Sequence, residues 1–523
     1  MGGYTWKILR INLTVKQVNI EYLNVELTRK YLSGRGLAGK ILAEEVSSNV
    51  DALSSENKLF FATGVLTGTT VPTSGRFMAV TKSPLNGRLV FSNFGGYWGS
   101  QLKFAGYDMV VLEGKSEHPA YIVIQDNLVE IKDAAHVWGK DVFTAANILK
   151  QEIGDPFIKI LTIGPAGEKL SLLAVVTNDL YRAAGRSGVG AVMGSKNIKA
   201  IMVRGTGKVE IADSVELKRI LTDAMRKVKG VKGIEVKTQT QTTRHRTEND
   251  ACYQCPIACE HYSKRVKGEG SDPNHKSAGV LGSDLGIYDH EAIQEARDLC
   301  NKLGLDQISV SSALATGIEL AQRGYIKPEE LDGIPLEFGN TRGMLEWICK
   351  IAYSEGLGFK MGLGADHFVK SYGASNLSRT MKKQKASRAL GDSHVGGYII
   401  SPERLGFSEK FDGTSIEGKT TWYKTFQDLS AVIDSLGLCL FTSRALGLSD
   451  YTEILNAVSG SKYTNEELLT CGERIWNNER LYDLRVGYSM TEDLADLLPQ
   501  YYIERGWDET GVPMLERLNR LRM

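Results

Sequence analysis

The apolar and polar positions of this chain follow two different rhythms. Over roughly the first 205 residues, short β-rich runs alternate with glycine turns: KLFFATG (58–64), FMAVTK (77–82), DMVVLEG (108–114), AYIVI (120–124), IKILTIG (158–164), LLAVVT (172–177) and KAIMVRG (199–205). Such runs, rich in Val, Ile and Phe and bounded by turn residues, predict strands. Helical spacing there is confined to 37–46, 143–153 and the stretch after Gly190. Beyond about residue 208 the period lengthens, and 214–228, 290–304, 306–323, 343–355, 419–435, 464–482 and 490–504 predict helices. The polar stretches 229–249 and 380–394 read as separators. No internal repeat, coiled coil or low-complexity tract is visible. The expected fold class is α+β: a β-rich domain over 1–208, a helical domain over 209–393 and a second helical domain over 394–523.

Composition narrows the class without naming a function. The chain has 523 residues, 42% of them hydrophobic and 24% charged, enough to bury a sizeable core. Lys plus Arg (63) nearly equals Asp plus Glu (62), so charge supplies no reason for nucleic acid or an anionic membrane as partner. No apolar run approaches the ~20 residues of a membrane helix, and the opening MGGYTWKILRINLTV has no secretory apolar core. Trp6 breaks the myristoylation pattern. Seven cysteines are too sparse for a disulfide scaffold. A cytoplasmic, multi-domain protein is expected.

The cysteines carry the clearest chemistry. Cys252, Cys255 and Cys259 form C-x2-C-x3-C within ACYQCPIACEHY. Soft thiolates at this spacing suit an iron–sulfur cluster, with a fourth ligand arriving from elsewhere. The intervals are the reverse of the C-x3-C-x2-C of radical-SAM clusters. Structural zinc is an alternative, although zinc sites usually show two such pairs; isolated buried cysteines are another. Cys300, Cys349 and Cys471 lie inside helical patterns among Leu, Ile and Trp, where a thiol acts as a small hydrophobe. Cys439 follows Asp434-Ser435-Leu436-Gly437-Leu438, a helix ending at Gly, which exposes the next side chain at a loop. It is the best candidate for the fourth ligand.

Three glycine-rich stretches in the β-rich part hold a placed Arg or Asn: Thr73-Ser74-Gly75-Arg76, Ser92-Asn93-Phe94-Gly95-Gly96, and Arg182-Ala183-Ala184-Gly185-Arg186-Ser187-Gly188-Val189-Gly190. Backbone freed by glycine approaches phosphates closely, and arginine pairs them bidentately. Met193 breaks a dinucleotide fingerprint, and Gly194-Ser195-Lys196 lacks the Walker order. Any one cluster is equally a tight turn between strands. Three together point to an extended phosphorylated ligand.

Taken in order, these motifs resemble the tungsten-dependent aldehyde ferredoxin oxidoreductase family over nearly the whole chain. The resemblance rests on WKILRINLT, Leu32 to Leu37, Glu56 to Leu59, Ala62-Thr63-Gly64, Ser74-Gly75-Arg76, Leu102 to Asp108, Ile163 to Glu168, Arg182 to Lys196, the cysteine triple, Leu281-Gly282-Ser283, Leu303 to Asp306, His394, and Asp434 to Cys439. It implies a β saddle holding two molybdopterin-type cofactors joined to one tungsten (or molybdenum), covered by two helical domains. It further implies a [4Fe–4S] cluster on Cys252, Cys255, Cys259 and Cys439, feeding ferredoxin or an iron–sulfur partner subunit. By motif position, Arg76, Asn93, Gly95, Arg182 and Ala183 match residues around the pterin phosphates, bridged by Mg2+ through Asn93-type and Ala183-type contacts. Two D-x-x-G-L-[CD] motifs hold the pterin rings. One reads Asn301-Lys302-Leu303-Gly304-Leu305-Asp306, with Asn301 for Asp; the other is intact from Asp434 through Gly437 and Leu438 to Cys439.

The departures concern the reacting centre. Family members carry Pro-Glu-Tyr-Glu-Thr shortly before Leu-Gly-Ser, with the second Glu beside the metal; here the stretch is Pro273-Asn274-His275-Lys276-Ser277, so Lys276 replaces that carboxylate. His394 matches the family's other active-site group and is the leading base, with His275 as second candidate. Region 370–392 is shorter than in typical members. The implied function is oxidation of an aldehyde to a carboxylic acid by a homodimer or hetero-oligomer, without nucleic acid or membrane insertion. The alternatives are a tungsten subunit like that of class II benzoyl-CoA reductases and an electron-relay subunit without turnover.

Overall fold

A computed structural model of the chain describes residues 1–180, 182–230, 247–265, 268–271, 278–375, 416–488 and 498–523. Its β-rich part is built from one topology used twice. The first copy runs β1 (Lys7–Asn12), β2 (Gln17–Tyr22), α1 (Val25–Tyr31), α2 (Gly34–Glu45), β3 (Leu59–Thr63), β4 (Phe77–Lys82), β5 (Leu89–Phe94), α3 (Trp98–Phe104) and β6 (Met109–Glu113). The second runs β7 (Ala120–Gln125), β8 (Leu128–Asp133), α4 (Val142–Ile153), β9 (Lys159–Thr162), β10 (Val176–Asn178), β11 (Arg182–Ala184), α5 (Val189–Ser195) and β12 (Ile198–Arg204). Strand order is β2-β1-β6-β3-β4-β5 in one sheet and β8-β7-β12-β9-β10-β11 in the other. In both, the last strand runs parallel to the first and antiparallel to the third. This corrects the expectation of no internal repeat. A sheet needs its apolar alternation in register, not a particular side chain at each place, so topology can be duplicated where residue identity is not.

Helices follow. They are α6 (Ser214–Lys229), α7 (His290–Leu303), α8 (Gln307–Gln322), α9 (Thr341–Tyr353), α10 (Leu357–Gly362), α11 (Ala365–Ser371), α12 (Ile416–Leu436), α13 (Leu448–Ser459), α14 (Asn465–Arg485), α15 (Leu498–Arg505) and α16 (Leu515–Leu521). Local signals set several of their ends. Asp289 caps α7 and Asp306 caps α8 through side-chain oxygens, and Gly304 ends α7 in the left-handed region. Among the described residues no helix is long and apolar enough to cross a membrane. The fold is α+β, a two-sheet region followed by a mainly helical one.

Packing divides the molecule into layers. One face of each sheet shares a single core, with Leu9, Phe61, Phe77, Phe94 and Trp98 from the first copy meeting Ile122, Leu161, Val176 and Ile201 from the second. The other face of the first sheet (Ile8, Phe60, Met78, Val111) is covered by α2 and by residues of α6, α12, α13 and α14. Helices α7 to α11 form a separate core that takes in Leu173 and Ala174. Helix α6 thus packs with the C-terminal helices although it precedes the cysteine triple.

Differences from the expected elements have physical causes. Strands β2 and β8 are sheet edges, the first largely exposed and the second only half-buried, so little apolar signal marks them. Strand β11 has three residues, Arg-Ala-Ala, and exists through its pairing with β10. The run 172–177 forms strand only from Val176, because Leu172 N–H donates to Gly362 O (2.8 Å) and Val175 N–H to Gly304 O (2.9 Å). Its backbone is spent on the helical domain. Around the cysteine triple a small antiparallel sheet forms, β13 (Thr247–Asp250), β14 (Glu260–Arg265) and β15 (Gly268–Ser271), where loop and sparse strand were expected.

Candidate functional site

Each copy of the β topology ends its third strand in a glycine that receives the end of a helix. After β3, Gly64 lies so close to the Gly437 turn that a Cβ would stand 2.0 Å from Gly437 N. After β9, a Cβ on Gly164 would stand 2.3 Å from Leu303 O. Gly437 and Gly304 both have φ in the left-handed region (+78° and +75°), which reverses the chain after the helix at no Cβ cost. The fourth strands answer in the same way: Arg76 N–H donates to Gly437 O (3.2 Å) and Val175 N–H to Gly304 O (2.9 Å). The motifs ending in Asp306 and Cys439 therefore dock on equivalent places of the two sheets. By the same equivalence Asn93, paired with Met78, corresponds to Ala183, paired with Thr177.

The second motif carries the densest polar network. Asp434, only 2% exposed, accepts from Asn93 Nδ2 (2.9 Å) and from Arg35 Nη1 (3.2 Å). Arg35 also gives Nε and Nη2 to the two oxygens of Glu479, both at 2.8 Å. Arg76 donates through Nη1 to Asn93 Oδ1 (3.1 Å) and through Nη2 to Cys439 Sγ (3.2 Å). Burial works against the Arg76 charge, but the thiols of Cys439, Cys252 and Cys259 hold its guanidinium above the ordinary range. Burial likewise pushes the Asp434 carboxyl up, opposed by Arg35 and Asn93. Cys439 was expected to be exposed at a loop; it is 8% exposed, because the Gly437 turn carries it back onto the β domain, where its N–H donates to Thr73 Oγ1 (3.2 Å).

The cysteine triple is tied to the same surface. It lies in the connection from β13 to β14, where Tyr253 N–H donates to Gly96 O (3.2 Å) and Thr73 N–H to Gln254 O (2.7 Å). A Cβ on Gly95 would stand 2.7 Å from Cys252 Sγ, so glycine there lets the thiol reach the β5 end. Burial pushes the Cys255 thiol up, against the backbone amides of Ala258 and Ile257. Cys300, Cys349 and Cys471 sit in α7, α9 and α14, away from this loop.

The donor set fits the groups that the sequence resemblance implies. Cys252, Cys259 and Cys439 gather about one guanidinium, with Cys255 in the same loop. Among the described residues no three His, Cys, Asp or Glu side chains are grouped to share one metal ion; the thiols of a cubane cluster need not converge on one point, since each meets a different iron. Near the glycine stretches, Arg76 Nε, Thr177 Oγ1 and Asn178 Oδ1 are buried without a hydrogen-bond partner among the described residues. Buried orphans of this kind are costly and mark a place for a polar ligand. Asn178, which gives its Nδ2 to Gly95 O (2.6 Å), is a residue that sequence reasoning missed. Glu479 is another: it lies 444 positions from its partner Arg35, and nothing local marks it.

The remaining expected site residues divide into three. Arg182 is half-buried and Ala183 exposed on β11, beside Gly96, whose Cβ position lies 3.5 Å from Arg182 Cδ. In the first motif Asn301 is buried and accepts from Gln307 Nε2 (3.1 Å), while Leu305 is buried and Asp306 spends Oδ2 on capping Ser309 N–H (2.9 Å). His394 and His275, with Lys276, lie outside the described residues.

Comparison with known proteins places this architecture. Residues 8–205 match the model of the aldehyde ferredoxin oxidoreductase N-terminal domain, and residues 221–496 match that of domains 2 and 3 of the same family. The chain is 40% identical to the tungsten-containing aldehyde ferredoxin oxidoreductase of Pyrococcus furiosus, over all of this chain and 99% of that one. It is 38% identical to that of Thermococcus kodakarensis, over 98% and 97% of the two chains. The first alignment spans 599 positions, more than the chain's 523 residues, so internal segments of the relative have no counterpart here. Among solved structures, the active-site complex BamBC of benzoyl coenzyme A reductase superposes with a TM-score of 0.87 at 22% identity, covering 100% of this chain and 97% of that one, a likeness of fold. With both family models matched along most of its length and two-fifths of its residues shared end to end with a curated member, the chain belongs to the aldehyde ferredoxin oxidoreductase family.

Proposed function

We propose that this protein oxidises an aldehyde to a carboxylic acid and passes the electrons to ferredoxin or an iron–sulfur partner. The observation that carries this reading is the seating of Cys439: the last residue of one docked motif touches Arg76, beside the cysteine triple, while the first residue of that motif, Asp434, is held by Asn93. Cluster ligands and cofactor-holding residues are thereby joined through two side chains, the arrangement a redox centre needs for electrons to leave it. When bound, a tungsten bis-pterin centre supplies two-electron chemistry and a [4Fe–4S] cluster one-electron transfer. Arg76 and Arg182 would hold phosphates through charge-assisted bonds, and Asn93 and Ala183 are the residues that would face Mg2+. Asp434 orients one pterin ring, and Asn301 with Asp306 the other. Water and aldehyde give acid, two electrons and two protons; His394 accepts a proton at its imidazole nitrogen, and His275 is the second candidate for that role.

Anaerobically purified protein is expected to carry one tungsten (or molybdenum) and about four iron atoms per chain and to reduce a viologen dye with aldehydes. His394→Asn should keep both metals and lower turnover ~10²-fold or more, the scale for losing a general base. Metal-replete wild-type protein that ignores a broad aldehyde panel but reduces an aromatic thioester would replace this reading with the ring-reductase one.

Arg76→Ala removes a buried guanidinium whose charged bonds are worth ~1.5–3 kcal/mol each. It should purify with pterin and tungsten reduced ~10-fold or more while iron stays. Full pterin occupancy in that variant would move the phosphate site elsewhere.

A further inference from the structure

We infer that Arg35 and Glu479 are positioning residues that hold the Asp434 carboxyl in place for the cofactor half nearest the cysteine cluster. The inference rests on the functional reading above and adds to it two residues that act through Asp434 and lie outside the cofactor-binding motifs.

Three buried ionisable groups meet here. Arg35 is 1% exposed, and it faces two carboxyl groups, Asp434 and Glu479, side chains 2% and 9% exposed. Burial and Glu479 push the Asp434 carboxyl up while Arg35 and Asn93 draw it down, so one guanidinium has to serve both acids. Glu479 takes the bidentate fork of Arg35, which is its strongest geometry, and leaves Asp434 a single bond from Nη1. Asp434 therefore keeps acceptor capacity. A carboxyl group has lone pairs on both oxygens, and Arg35 and Asn93 occupy one on each. The donor-rich edge of an aminopyrimidinone ring is the chemistry that such a half-used acceptor fits.

The clamp is rigid. The Arg35 guanidinium lies 3.7 Å from the Phe91 ring centroid and 4.9 Å from that of Trp476, so it is held between two aromatic faces while its nitrogens are tied. Its backbone enters at Gly34 (φ +47°), where a Cβ would stand 2.9 Å from Asp434 O, and Gly36 N–H donates to Ser435 Oγ (3.0 Å). The Leu32 to Leu37 stretch thus grips the second motif by backbone as well as by side chain. In the first motif the matching residue is Asn301, whose Oδ1 accepts from Gln307. Arg35, fixed by the fork of Glu479, is what sets the orientation of the Asp434 carboxyl.

The test uses the holoenzyme and a matched control. Asp428, also on α12, pairs with Arg505 at 2.5 Å, both side chains fully buried, but bonds to no part of the motif. Glu479→Gln and Asp428→Asn each strip one carboxylate from a buried arginine, and both should lower the melting temperature. Only Glu479→Gln should lose pterin on gel filtration, about tenfold, the scale of a charged hydrogen bond, and shift the tungsten EPR signal while iron content stays level. Arg35→Lys keeps the charge but loses the fork, and should behave like Glu479→Gln; it decides alone if Glu479→Gln does not fold. Unchanged pterin content and EPR signal in a folded variant overturn the clamp while the proposed function stands. Equal pterin loss in Asp428→Asn reduces it to ordinary stability. Wild-type protein free of pterin overturns both.

Discussion

Replacing Cys439 by alanine will cost the protein its intact iron–sulfur cluster, and with it electron transfer to any acceptor. The expectation follows from position. Cys439 is the cysteine outside the triple that stands beside it, in contact with Arg76, whose protonated form is also favoured by Cys252 and Cys259. Three cysteines from one loop leave the fourth corner of a cubane to a ligand from another element. Iron per chain should fall from about four, or the cluster degrade to a three-iron form, and aldehyde-dependent dye reduction should fall below detection. Cys300→Ala and Cys471→Ala should behave differently. Both thiols are fully buried in helices, and burial pushes their thiols up, that of Cys471 to about 12. They act as packing groups, and their loss should lower stability modestly with iron unchanged. An unaltered reduced-state EPR spectrum in Cys439→Ala would refute the assignment.

The second large effect is expected from a single methyl group. Gly64→Ala places a Cβ 2.0 Å from Gly437 N and 2.1 Å from Leu436 C, backbone atoms with no freedom to swing aside. The helix end must lift off β3, breaking the bond from Leu66 N–H to Leu436 O (2.9 Å) and the seating of Arg76 N–H on Gly437 O (3.2 Å). A loss of roughly 3 kcal/mol or more is expected, at the top of the range for overpacking of a fixed core. Tungsten and pterin should be lost with it, because the displaced segment carries Asp434 and Cys439. Gly39→Ala is the control. Gly39 lies within α2 with its nearest neighbour, Leu89 Cδ2, 3.8 Å from the Cβ position. Alanine there should be neutral or stabilise by ~0.5–1 kcal/mol, since it favours helix over glycine. Chemical denaturation of the three proteins measures the contrast. A Gly64→Ala protein as stable as wild type would mean that the helix end does not rest on β3.

Much of the site was legible because its signals are local. The C-x2-C-x3-C spacing, the glycine before Cys439 and the placed arginines each announce chemistry within a few residues. So does the helix end at Gly437. Family membership, too, could be anticipated from ordered short motifs. Other features have no local mark. The duplicated sheet topology escaped notice because it needs only a periodicity of two, which many residue sets satisfy, and because edge strands β2 and β8 fully bury none of their side chains.

What the sequence by itself determined was the set of chemically able residues and the rhythm of strands and helices, since spacing, capping and apolar period act over fewer than twenty residues. What only the tertiary structure decided was which of them meet. Cys439 was expected in an exposed loop, and instead the Gly437 turn buries it against Arg76, 363 positions away in the chain. Arg35 was one letter in a glycine-rich stretch, and Asp434 and Glu479 become its partners 399 and 444 positions on. Asn178 carried no mark in the sequence, and the β10–β11 pairing sets it against Gly95. Charges and thiols act through space, at distances of 3 Å or so, and the order of residues along the chain carries no measure of that distance until the sheets close and the helices dock.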